Sequence, residues 1–213
     1  MKRSTITDRA ILSASVCVAL FSASLHAQDR LPAIPAERMT EAQQKATADF
    51  RAARNSAPTG PFSVLLRVPE LMDLAFKWRQ HVQARCVLDQ RQAELVILVT
   101  ARHWTQQYEW NAPQPMALTA GLTSDVIAAI MDGRRPDRMA EDEAILYDLI
   151  TELQRNHAVS DVTYARALAK VGEAGIVEAT SLSGYYAMLA MVMNTARTAL
   201  PAGSKPPLAA FPF

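Results

Sequence analysis

Apolar residues recur along this chain with helical spacing, in blocks broken by short clusters of proline, glycine and charge. Thr40 opens the first block: with Gln43 three positions on, "TEAQ" has the form of a capping box, and the helix runs to about Ala53. "NSAPTGP" (55–61) breaks it. Pro69 suits the first turn of the next helix, in which Leu71, Leu74, Ala75, Trp78 and Val82 follow with helical spacing. Asp89 is the N-cap of a third, carried on by Leu95, Val96, Leu98, Val99 and Arg102. Its run "ELVILVTA" has the composition of a strand, but its length and the lack of flanking hairpin signals favour a buried helix. "TSDVIAAIMDG" reads as a short capped helix ended by Gly133. "EDEAILYDLITELQRNH" puts Ile145, Leu146, Leu149, Ile150 and Leu153 on one face. Ser160 caps a helix that ends at Gly172. "GIVEATSLSGYYAMLAMVMNTA" is apolar on nearly all sides, which places it at the centre or at a subunit interface.

One stretch joins two patterns. "QQYEWNAPQPMALTAGL" (106–122) ends in a helix-forming run stopped at Gly121, but it begins with polar and aromatic residues followed by Pro113 and Pro115. A helix starting near Asn111 takes both prolines in its first turn without a kink. A helix starting at Gln106 is bent at Pro113, and Glu109 is redirected.

The chain lacks strand pairs and hairpin turns, so the fold class is all-α. Segments 89–131 and 143–194 are similar in length, a weak sign of internal duplication. A basic start (Lys2, Arg3, Arg9), the apolar run 10–25 and a small residue at Ala27 mark residues 1–27 as a signal peptide, short of a bilayer span. Residues 28–39 form an extended arm, 40–200 the helical domain and 201–213 a Pro-rich tail. The destination is periplasmic or secreted, and no membrane segment remains after cleavage. Processing also changes the charge. The whole chain has 22 basic and 21 acidic residues, and losing three basic and one acidic residue leaves 19 against 20. Such a balance gives no footprint for nucleic acid. Cys86 is the only thiol of the processed chain, so an internal disulfide is excluded.

The run "RQAELVILVTARHWTQQYEWNAPQPMALTAGLTSDVIAAI" resembles the carboxymuconolactone decarboxylase family, within the alkylhydroperoxidase D-like superfamily. "GPFSVLLRVPEL" and "GYYAMLAMVMN" are similar to the same family, and the resemblance spans about residues 38–200. It implies an alkylhydroperoxidase D-like helical bundle that self-associates as a trimer or hexamer, with sites near subunit interfaces. Members with peroxidase activity carry E-x11-C-x2-C-x3-H. Here the glutamate is Glu94, the cysteine positions hold Gln106 and Glu109, and the histidine position holds Pro113. Dithiol peroxide chemistry is therefore disfavoured. Members without the cysteines pair a carboxylate with a histidine after "EW", and "EWNAP" has no imidazole there.

Three catalytic candidates remain. Glu94 is either a base with a raised pKa or a structural acid paired with Arg91 or Arg102. Glu109 is either a second carboxylate facing Glu94 across a pocket or a first-turn acid on the helix dipole. His103 is either the replacement imidazole or a helix-end histidine. Arg102 and Asn111 are candidates to orient a carboxylate substrate, with Tyr108 and Trp110 flanking Glu109. His81 and His157 read as surface residues, while Tyr185, Tyr186 and the nearby methionines read as core or interface. Neither a metal site nor a cofactor is indicated, because no i, i+4 histidine pair or comparable spacing occurs. The functional expectation is an exported enzyme performing acid/base catalysis on a small organic acid or lactone. The alternatives are peroxide removal through Cys86 alone and a non-catalytic helical oligomer that binds a ligand or partner.

Overall fold

The computed structural model describes residues 29–85 and 87–209, and within them every regular element is helical. The segment 1–27, expected to be a signal peptide, and Cys86 lie outside the described residues. In chain order the helices are α1 (Glu41–Arg54), α2 (Pro61–Leu65), α3 (Pro69–Arg85), α4 (Gln90–His103), α5 (Gln107–Asn111), α6 (Pro113–Thr119), α7 (Ser124–Met131), α8 (Glu141–Asn156) and α9 (Asp161–Ala196).

Helix α4 lies at the centre. Every residue from Ala93 to Arg102 is buried, because α5, α6, α7, α8 and α9 all pack on it. That burial explains why "ELVILVTA" is apolar without a period: a helix covered on all sides has no polar face to show. Leu95 and Leu98 of α4 meet Leu146, Leu149 and Ile150 of α8 and Leu182 and Met193 of α9 in one continuous core. A second layer closes the other end. Phe50 of α1, Phe62 of α2 and Phe76 of α3 form an aromatic cluster with ring centroids 5.0, 5.1 and 5.9 Å apart.

The caps sit where the sequence places them. Thr40 and Gln43 form a reciprocal capping box on α1, and Asp89 and Gln92 form another on α4. Thr123 caps α7 and Ser160 caps α9. Two features differ from the expectation. "PFSVL" folds as the short helix α2, which hydrophobic spacing alone does not reveal over five residues. The other concerns α9: the Ser160-capped helix is broken at Gly172 as expected, where φ 69° and ψ 177° are non-helical, but a second helical stretch follows directly across this kink and reaches Ala196.

The last helix is also less enclosed than its composition suggests. Tyr185, Leu189 and Met193 face the core, whereas Val177 (66% exposed) and Met191 (48% exposed) do not. By length and composition α9 passes as a membrane span, but 44% of its most apolar window is buried inside the fold. Segment 90–131 folds into four helices and segment 141–196 into two, so the weak sequence repeat is not a repeat of structure. The arm and tail are tied to the body. Arg30 N–H donates to the Ala196 carbonyl at 2.7 Å, Arg67 donates to the Pro32 carbonyl at 2.7 Å, and Leu208 is buried in the core.

Candidate functional site

Both readings of the Pro-rich stretch are partly met. A helical turn starts at Gln107, with Gln106 as N-cap, and ends at Asn111; a second starts at Pro113. Pro113 and Pro115 lie in the first turn of α6, where a missing N–H costs little. The same prolines remove the donors that would continue α5, so the carbonyls of Glu109 and Asn111 have no partner one turn on. Ala112, between α5 and α6, keeps helical angles (φ −81°, ψ −47°), so the corner is a break in the hydrogen-bond ladder. Gln106 is structural: its Oε1 accepts from the Tyr108 N–H at 2.7 Å and its Nε2 donates to Asn194 Oδ1 at 2.8 Å.

This corner carries Glu109 into a cavity of about 180 Å3 bounded by α1, α2, α3, α5, α6 and α9 and the loop before α2. Its floor is formed by Glu109 (4% exposed) and Tyr185 (1% exposed), with Phe62 and Leu189 beside them. Its mouth carries the exposed residues Arg54, Ser56 and Thr59, and the half-buried Arg79 and Tyr108 lie between. Gly60 makes the mouth possible. It sits at φ 56°, and a Cβ there would lie 2.4 Å from the Tyr108 ring. Tyr108 is further positioned by a hydrogen bond from its hydroxyl to Thr59 Oγ1 at 3.4 Å.

The electrostatics of the floor are unusual. Neither carboxylate oxygen of Glu109 has a hydrogen-bond partner among the described residues, and neither does the Tyr185 hydroxyl. Burial alone pushes the Glu109 carboxyl well above the ordinary glutamate range, which favours its neutral form. Burial likewise raises the Tyr185 phenol, with Tyr186 and Glu109 adding to the shift. An uncompensated buried acid costs stability, and such groups concentrate at sites of function. Arg79 is lowered by burial and by the neighbouring Arg54 guanidinium. Among the described residues neither arginine has a carboxylate within ion-pair distance; Arg54 instead lies 5.9 Å from the Phe50 ring centroid.

The other sequence candidates are dispersed. Glu94 is buried (1% exposed) on α4 but is not in the wall of the Glu109 cavity. Its Oε1 accepts from Gln90 Nε2 at 2.6 Å, its Oε2 is unpartnered, and burial raises its pKa to about 7 against the smaller opposing effect of Gln90. The structural alternative of a pair with Arg91 is not realised, since Arg91 reaches across to Asp142 at 2.6 Å and to Glu143 on α8. His103 lies nine residues beyond Glu94 on the same helix, which puts it about 13 Å along the axis and on the opposite face. It is exposed at the helix end, edge-on to Trp104, with its pKa lowered by burial and by Arg155 and His157. Arg102 points to the tail, donating to the Ala209 carbonyl at 3.0 Å. Trp110 is fully buried and Asn111 exposed, and neither lines the cavity.

Of the seven candidate residues, then, Glu109 and Tyr108 meet in one cavity. Arg54, Arg79 and Tyr185 are the residues the sequence reading missed. Tyr185 lies in an apolar helix where a core role is the default, and only its unpartnered hydroxyl distinguishes it. Among the described residues no group of three His, Cys, Asp or Glu is placed to hold a metal. Comparison with protein-family models, curated proteins and solved structures finds no match to this chain.

Proposed function

We propose that this protein is an exported acid/base enzyme acting on a small organic acid or lactone, a divergent relative of the carboxymuconolactone decarboxylases. One observation carries the reading. Glu109 is a buried acid with both oxygens unpartnered on the floor of a cavity large enough for a small molecule. In this role the Glu109 carboxyl donates its proton to the substrate and recovers it in the reverse step. The apolar surroundings that raise its pKa favour the proton staying on the carboxyl until a substrate oxygen is in place to take it. Arg54 and Arg79 supply the positive charge that draws an acid to the mouth. The motif glutamate Glu94 lies outside this cavity.

The test is proton exchange. The protein is incubated in deuterated water with a panel of small oxo acids and lactones, muconolactone included. Wild type exchanges or turns over at least one of them, and Glu109→Gln slows that by roughly 100-fold or more. Equal rates in the two proteins, or none with any compound, contradict the proposal.

A second reading, ligand binding without turnover, is favoured by the composition of the wall, whose described residues include no histidine or cysteine. Saturable binding with no exchange selects it. Self-association as a trimer or hexamer belongs to the same proposal and is supported by the exposed Val177 and Met191 on α9.

A further inference from the structure

The cavity is polar at both ends in different ways. Arg54 at the mouth and the half-buried Arg79 below it stand without carboxylate partners among the described residues. At the floor the Glu109 carboxyl and the Tyr185 hydroxyl have no hydrogen-bond partner; Arg79 and Arg54 act on the Tyr185 phenol, but no charged group acts on Glu109. Between them the wall is apolar, with Phe62, Pro113 and Leu189. We propose that the site takes a small monocarboxylate in one orientation, with its carboxylate at Arg54 and Arg79 and an uncharged acceptor oxygen reaching Glu109 and Tyr185. This rests on the reading of the cavity as a ligand site and adds to it the class and direction of the ligand.

The chemistry follows from the donor sets. A guanidinium matches a carboxylate in charge and geometry, so the arginine end selects an anion. The floor offers O–H donors and nothing to balance charge, so it selects a ketone, ester or lactone oxygen. A dicarboxylate is disfavoured: its second charge would be desolvated beside the Glu109 carboxyl, which no charged group offsets. A simple fatty acid of the same length is also disfavoured, because it leaves both buried donors unmet.

Three compounds of one length separate these cases: pentanoate, 4-oxopentanoate and glutarate, titrated calorimetrically into the full protein at neutral pH. The expected order is 4-oxopentanoate tightest, with pentanoate and glutarate each weaker by about tenfold or more. Tyr185→Phe narrows the gap between 4-oxopentanoate and pentanoate. Arg79→Met weakens 4-oxopentanoate by about tenfold, and Arg54→Met, at an exposed position, weakens it as well. Glutarate binding as tightly as 4-oxopentanoate overturns the proposal, as does binding of none of the three by folded protein. Unchanged affinity in both arginine variants overturns it too. The predicted order without any Glu109-dependent turnover fails the acid/base reading alone; turnover with a preference for glutarate fails this inference alone.

Discussion

Gln107 and Leu208 are joined like partners in a strand ladder, although 101 residues separate them. The Gln107 amide donates to the Leu208 carbonyl at 2.8 Å and accepts from the Leu208 N–H at 2.9 Å. A side chain thus supplies both halves of a backbone pairing, and it does so in the first turn of α5, two residues before Glu109. The Pro-rich tail is therefore part of the fold.

Removing either side of this clasp has a measurable cost. Gln107→Ala loses two hydrogen bonds and destabilises by about 1–2 kcal/mol. Leu208→Ala opens a hole in the core and costs about 2–4 kcal/mol. Urea unfolding of the two variants against wild type reads both values, and an unchanged midpoint in both contradicts a structural tail.

Gly60 sets the shape of the cavity mouth. Its positive φ is strained for any other residue, and its missing Cβ is where the Tyr108 ring lies. Gly60→Ala is expected to cost about 1–3 kcal/mol and to displace Tyr108 from the mouth. Thermal melting reads the first effect, and tyrosine fluorescence quenching by iodide the second. An alanine variant as stable as wild type would show that the loop before α2 is not held as described.

Glu94 makes stability depend on pH. Its folded pKa of about 7 stands above the ordinary 4.5, so the folded state holds a proton the unfolded state releases. Its contribution is therefore fully present below about pH 4.5 and is lost as pH rises towards 7. A shift of that size corresponds to about 3 kcal/mol. Glu94→Gln should gain stability relative to wild type at pH 8 and gain little at pH 4, as read by chemical denaturation at the two values. An equal effect at both contradicts a titrating, buried Glu94.

Glu109 should trade stability against function. Replacing an unpartnered buried acid with an apolar side chain of similar size removes a desolvation cost, so Glu109→Leu is expected to melt at a higher temperature near pH 8. The same variant is expected to lose ligand binding and turnover. Lower stability in Glu109→Leu would indicate that the carboxyl has a structural partner.

How far the sequence discloses all this differs between elements. The capping residues Thr40, Asp89 and Ser160 are local signals, because a cap needs only the backbone two or three residues away. The break in α9 is local too: Gly172 takes a non-helical φ 69°, ψ 177° that a glycine adopts readily, and the kink falls where the sequence marks it. The site is legible at Glu109 and Tyr108, where the prolines mark a corner. It is illegible at Arg54, Arg79 and Tyr185, which reach the cavity from three different helices. Only tertiary packing joins them. His103 and Glu94 illustrate the converse, since nine residues of helix suffice to part them.

The central claim is that Glu109 stands buried and unpartnered on the cavity floor, with its proton held more tightly than that of an ordinary glutamate. Carbon NMR of the glutamate side-chain carboxyls, with Glu109→Gln to assign the resonance, follows its titration directly. The account predicts a midpoint well above the ordinary 4.5 of a glutamate carboxyl. A Glu109 resonance that titrates at 4.5 or below would contradict it.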